Sequence, residues 1–331
     1  SAKASRQTTQ LIQTTIEAVD KGIAIADETA ANMSEVMQGA MEATQKMGQI
    51  AEMLKKTSGP GTVVLNLETP ETELALTGAD YAALNSVLDL QQGQLYLGQY
   101  NNGDAPGTSV TLGEAKIIVR EGAALWVHLG GSDRSVPVAV DMVSGSSLNN
   151  RDGDNTISGN IRFNIVDPTA ATPAFDSAGK VILTQYWDKN NVLSGILEGD
   201  GIVEMSAPSK GGTGSWTLAN NGNTFQGSYD LVDSDNGGVK LILGAENAAK
   251  NAVINLNGVN SVSTLQLNQS SVIKALNSAA ADNVVVANAA ATLTIGEGSF
   301  AGMLKDGSAE NILSLNKTGN GTLSLSGNNT Y

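Results

Sequence analysis

Two hydrophobic periods share this chain, and no single fold can bury both. Residues 1–56 contain no proline and no aromatic residue, and their apolar positions recur at alternating spacings of four and three. The series runs Ile12, Ile16, Val19, Ile23, Ala26, Ala30, Met33, Met37, Ala40, Thr44, Met47, Ala51, Leu54. Beyond Ser58-Gly-Pro-Gly61 that series stops, and short alternating segments rich in Gly, Asn, Ser and Thr take its place. A period near 3.5 places apolar side chains along one stripe of a helix, whereas a period of two places them on one face of a strand. The two parts therefore need separate cores: a helix over 1–56, a linker over 57–61, and a β domain over 62–331.

The heptad seam continues for about six repeats with Thr44 its one polar member, which points to a coiled-coil-type helix. Gly22, Gly39 and Gly48 each cost such a helix up to about 1 kcal/mol relative to Ala, so it requires a partner helix to bury its stripe. Ser1-Ala-Lys-Ala-Ser-Arg-Gln-Thr-Thr-Gln-Leu-Ile12, Ala26-Asp-Glu-Thr-Ala30, Met33-Ser-Glu-Val-Met37 and Met47-Gly-Gln-Ile-Ala51 resemble the C-terminal cytoplasmic helix of methyl-accepting chemotaxis proteins. The resemblance covers 1–56. It implies signal transduction in the cytoplasm, with Glu42 and Gln45 at positions of the kind that family methylates or deamidates.

Charge bears on the second part. The formal net charge is −14; residues 1–58 hold six basic and seven acidic residues, leaving about −13 in the β part. Such a surface repels phosphate backbones, which argues against nucleic acid as a partner. The chain has no Cys, so disulfides, thiolate metal sites and cysteine nucleophiles are excluded. No apolar run approaches the length of a membrane span.

Candidate strands include Thr62–Leu67, Lys116–Arg120, Ala124–Leu129, Thr156–Ile165, Val181–Tyr186, Val253–Leu256, Val284–Ala287, Leu293–Ile295, Ile312–Leu315 and Thr322–Leu325. Asn/Gly/Asp clusters join them, as turns with left-handed residues require. Asp80–Leu90 is expected to form a short helix and Gly244–Lys250 a helical turn. Ile157, Ile161, Phe163, Leu218, Leu256, Leu293, Leu313, Leu323 and Leu325 are expected to face one core.

An internal repeat sharpens the expectation. Gly212-Thr-Gly214-Ser-Trp216-Thr-Leu218, followed by Asn223-Thr224-Phe225, reappears as Gly319-Asn-Gly321-Thr-Leu323-Ser-Leu325, followed by Asn329-Thr330-Tyr331. Units of this kind suggest stacked rungs that bury their faces against neighbours. Lys317–Tyr331 resembles the autotransporter-associated β-strand repeat of bacterial passenger domains, strongly over 317–331 and well over 212–227. That resemblance implies a mainly β parallel β-helix (β-solenoid), exported or displayed at the cell surface, and a chain continuing past Tyr331.

Candidate chemistry is sparse. His128 is the single His, so neither a conventional zinc site nor a Ser-His-Asp relay has its full set of groups. Asp152, Asp154 and Asn155, and separately Asp233, Asp235 and Asn236, are oxygen-rich, but neither set has the twelve-residue calcium-loop spacing and both read as turns. Asp188 beside Trp187 and Lys189 is the best acid–base trio, with no second carboxylate in register. Gly211-Gly-Thr-Gly214 lacks the Lys-Ser/Thr of a phosphate loop. Trp126, Trp187 and Trp216 read as isolated core or corner residues.

The expected function is a non-enzymatic surface or secreted scaffold for adhesion or display, with no cofactor and no metal. Its expected partners are extended ligands such as glycans, or neighbouring solenoids. The alternatives are a chemotaxis signalling fragment and a carbohydrate-active β-helix enzyme.

Overall fold

The structure is a computed structural model that describes residues 2–57, 59–77, 81, 83–98, 110, 112–129, 134–150, 153–186, 188–207, 212–233 and 237–331. Asp80, Asp152, Trp187, Gly211, Asp235 and Asn236 lie outside the described residues. The chain forms two compact units, Ser1–Glu52 and Met53–Tyr331.

A single helix runs Ala2–Lys56. Nothing in that stretch interrupts the i→i+4 ladder, and Thr8, Thr9, Thr14, Thr15, Thr29 and Thr44 return their hydroxyls to carbonyls four residues back. Gly59 and Pro60 follow the helix end, where Lys55 and Lys56 face the negative end of its dipole. The seam residues Ile12, Ile16, Val19, Ile23, Met33 and Met37 are 50–63% exposed. Leu54, in the last turn and part of the second unit, is fully buried, and Lys55 Nζ lies 5.9 Å from the Tyr81 ring centroid.

The second unit is a parallel β-solenoid of about ten turns. The chain visits three sheets in succession, so each strand pairs with the strand one turn earlier rather than with its neighbour in sequence. The first sheet runs from Thr62–Asn66 through Val87–Gln92, Lys116–Val119, Ala139–Met142 and Ile161–Phe163 to Leu197–Gly199. The second begins at Glu73–Leu76 and reaches Leu323–Leu325, while the third spans Arg134–Val136 to Met303–Lys305. In the later turns Ala249–Leu256, Ser271–Ser278 and Ala291–Phe300 each run on as one long strand.

Inward side chains stack in columns along the axis. Val63, Leu88, Ile117, Val140, Ile161 and Leu197 form one on the first sheet. Val136, Ile157, Leu193, Leu218, Leu243, Leu267 and Ala287 form another on the third. Most members are fully buried, so one apolar core runs through the turns; each turn supplies a layer that its neighbours cover. Amides replace aliphatic groups at one level: Asn150, Asn155, Gln185 and Asn191 are buried and bonded to one another, Asn150 Nδ2 donating to Gln185 Oε1 at 3.0 Å and Asn155 Nδ2 to Asn150 Oδ1 at 3.0 Å.

The bend from first to second sheet is made by a single left-handed residue in several turns. Gly93, Gly122, Gly145 and Gly201 occupy it with φ between +76° and +94°. Asn164, which directly follows Ile161–Phe163, is left-handed as well, with φ +55°, the one described non-glycine residue with positive φ. Its Nδ2 donates to the carbonyls of Asp200 (2.8 Å) and Ile202 (3.2 Å), so its side chain ties the bend to the following turn. Asn tolerates this region better than other L-residues because its amide bonds locally.

Three expectations need correction. Over its described residues, 81 and 83–90, the stretch Asp80–Leu90 is not a helix: Leu84 N–H closes one turn on Tyr81 C=O at 2.9 Å, and Val87–Gln92 is a strand. Thr156–Ile165 is two strands, Asn155–Ile157 and Ile161–Phe163, on different sheets. At the bend between them a Cβ on Gly159 would meet Val138 C=O at 1.9 Å. Alternation survives the bend, and Ile157, Ile161, Phe163 and Ile165 are all buried. Leu323 and Leu325 are only half-buried, on the last strand, whereas Leu218, Leu256, Leu293 and Leu313 are buried as expected.

Candidate functional site

The internal repeat carries a local device rather than a fixed face. Thr213–Leu218 belongs to the third sheet and Leu323–Leu325 to the second. Asn223 Oδ1 accepts from Leu197 N–H (2.9 Å), and Thr224 N–H returns to Leu197 C=O (2.9 Å). Asn329 and Thr330 repeat this on Leu304, again at 2.9 Å each. An Asn side chain thus stands in for a strand at a bend, on whichever face the bend falls. Gly214 and Gly321 also correspond: a Cβ would meet the Gln185 side chain at 2.6 Å and the Glu297 side chain at 2.4 Å. Trp216 and Phe225 are buried, Gly212 precedes the strand Thr213–Leu218, Gly319 has φ +68°, and Tyr331 is exposed.

The remaining sequence candidates are dispersed. Glu42 is exposed and accepts from Gln38 Nε2 at 3.1 Å on the same helix; Gln45 is exposed. His128 is buried on Ala124–His128. Asp154 accepts from Asn190 N–H at 2.8 Å, and Asp188 accepts from Thr213 N–H. Asp233 gathers the N–H groups of Val259 (3.0 Å), Asn260 and Ser261 (2.8 Å). Burial pushes the Asp233 carboxyl up, but those three donors outweigh it and hold it below the ordinary range. Asp154 and Asp233 bond backbone amides as loop residues do, whereas Asn155, expected in a turn, lies in the strand Asn155–Ile157 and is buried.

Two outward features escaped sequence reading. On the first sheet, Asp89, Ile118, Asp141, Arg162 and Glu198 form one outward column. Asp141 is 2% exposed and is held by Arg162 through Nε at 2.6 Å and Nη2 at 2.5 Å, with Lys116 as a second cation. Asp89 is held the same way by Arg120, at 2.7 and 2.9 Å. The Arg120 hydrogen bonds lower the Asp89 carboxyl, against burial. Carboxylates held bidentately by a guanidinium group from the adjacent turn pin one turn to the next.

On the second sheet, Trp126 is not isolated. It stacks on Tyr96 (centroids 5.2 Å, planes 6° apart) and on Tyr186 (5.6 Å, 29°). Further along, Glu204, Asp230, Asn255, Asn277 and Ser299 line up on successive turns of the outer face. Asn255 Nδ2 donates to Asp230 Oδ1 at 2.6 Å, and Asn277 Nδ2 to Asn255 Oδ1 at 2.9 Å. The chemistry available here is hydrogen bonding at a regular interval of about 4.8 Å, the strand spacing.

No described group of three or more His, Asp or Glu side chains converges as a metal site would require. No described helix is long and apolar enough to cross a membrane. No family model, curated protein or solved structure matches the chain.

Proposed function

We propose that the chain is a non-catalytic β-solenoid scaffold, secreted or displayed at a bacterial surface, that works in adhesion or display. The supporting observation is the outer second sheet, where Glu204, Asp230, Asn255, Asn277 and Ser299 present hydrogen-bonding groups turn after turn. A face of this kind suits extended partners such as glycans or neighbouring solenoids better than a small substrate, which needs a concave pocket. The strand carboxylates Asp89 and Asp141 are committed to Arg120 and Arg162, in keeping with a structural role. The exposed seam of Ala2–Lys56 supports a partner helix for the N-terminal unit.

Labelling of intact cells tests the location. Antibodies raised against the β unit should stain unpermeabilised bacteria that express the natural gene. Staining confined to lysed or permeabilised cells would favour the cytoplasmic signalling reading instead.

A further inference from the structure

We propose that the β unit binds a linear polysaccharide carrying carboxylate groups in an axial groove on its later turns. The inference deepens the scaffold reading and rests on it. The groove has a volume of about 650 Å³ and is lined by Asp200, Gln226, Lys250, Asn251, Lys274 and Thr318, with Gly296 in its floor. Asp200, Gln226, Lys250, Lys274, Gly296 and Thr318 come from six successive turns. At about 4.8 Å per turn they span about 24 Å. A polymer laid along the axis would meet a new side chain at every turn.

The backbone is shaped for this. Ala249 pairs with Ile273 but Val253 with Ala275, so two extra residues bulge from the later-turn ladder at Lys250–Ala252. Bulges re-aim side chains out of the pleat, and this one puts Lys250 and Asn251 on the groove wall. Gly296 keeps the floor low between Lys274 and Thr318; a Cβ there would also meet Lys274 C=O at 2.6 Å.

Charge selects the occupant. The β part carries about −13, yet Lys250 and Lys274 sit on adjacent turns of one groove, both exposed. Neither makes an ion pair among the described residues. Like charges on neighbouring strands repel, and an anion shared between them relieves the repulsion. A polypeptide strand is disfavoured, because the groove runs across strands whose backbone groups are already paired and offers no free edge. Single-stranded nucleic acid is disfavoured because none of the described residues lining the groove is aromatic, so no ring is offered there to stack a base. The ammonium, amide and hydroxyl donors of Gln226, Lys250, Asn251, Lys274 and Thr318 match the carboxylates and hydroxyls of an acidic glycan, and the Asp200 carboxylate, on the first of the six turns, accepts from a sugar hydroxyl.

The test is calorimetric titration of the full chain with polygalacturonate, using dextran of similar length as the neutral control. Polygalacturonate should bind, more weakly as salt is raised, and dextran should not. Lys250→Ala with Lys274→Ala should weaken binding at least tenfold with circular dichroism unchanged, while Lys250→Arg with Lys274→Arg should bind as the parent does. Absence of polygalacturonate binding, equal binding of dextran, or a double alanine variant as tight as the parent would overturn the proposal. None of these results bears on intact-cell labelling, so the groove and the surface reading fail separately.

Discussion

Leu218 and Leu323 lie in corresponding strands of the internal repeat, and the structure makes them unequal. Leu218 is fully buried, with Leu193 one turn before it and Leu243 one turn after, while Leu323 is half-buried on the last strand. Leu218→Ala removes three carbon groups, worth about 0.8 kcal/mol each, and leaves a cavity between rigid neighbours; the expected cost is about 3–4 kcal/mol. Leu323→Ala should cost about 1 kcal/mol, because part of its surface is already in water. A solenoid need not unfold in one step, so the readout must be local. Trp216 lies in the same strand as Leu218, and its fluorescence through a denaturant titration reports that turn. The midpoint should fall clearly for Leu218→Ala with the slope unchanged, and hardly for Leu323→Ala. Equal costs for the two variants, or a cost below about 1 kcal/mol at Leu218, would refute the stacked-column account.

Further outcomes follow from single sites. Asn164→Gly keeps the left-handed bend but loses the bonds to Asp200 and Ile202, so it should cost about 1–2 kcal/mol, and Asn164→Ala about 1–2 more; thermal melts of the two variants check the order. The Tyr229 hydroxyl is buried without a partner among the described residues and burial pushes the phenol's pKa up, so Tyr229→Phe should leave stability unchanged or raise it by about 1 kcal/mol in the same melts. The Asp89 carboxyl is depressed in the folded state by Arg120. Its stabilisation is therefore complete above the unfolded value near about 3.9 and is lost as pH falls through the lower folded value. Asp89→Asn should be less stable than the parent at neutral pH and close to it at about pH 2, as measured by denaturant midpoints.

What could be read in the sequence was whatever repeats locally. Alternation at Ile157, Ile161 and Phe163 is a property of adjacent residues, and the structure buries all three. The strand Val284–Ala287 falls where its β-branched run places it. The bend at Gly159 was hidden because inward alternation passes through it unbroken. The Arg locks were hidden for another reason: Asp89 and Arg120 lie 31 residues apart, Asp141 and Arg162 only 21, so turns of unequal length erase any fixed spacing. The stack of Tyr96, Trp126 and Tyr186 depends on the same irregular register, and so do Lys250 and Lys274, which line one groove from adjacent turns beside a bulge. The helix over Asp80–Leu90 failed because its end, Val87–Leu90, pairs instead with Thr62–Asn66 and Lys116–Val119.

One measurement tests the central claim, that this chain binds extended ligands without transforming them. Beads coated with the full chain are held on a polygalacturonate matrix, and the surrounding solution is assayed for reducing and unsaturated sugar ends, with and without Ca²⁺. The account predicts that beads are retained and that no sugar ends are released over background. Release of sugar ends that disappears with Asp188→Asn would contradict it and move the chemistry to the neighbourhood of Asp188.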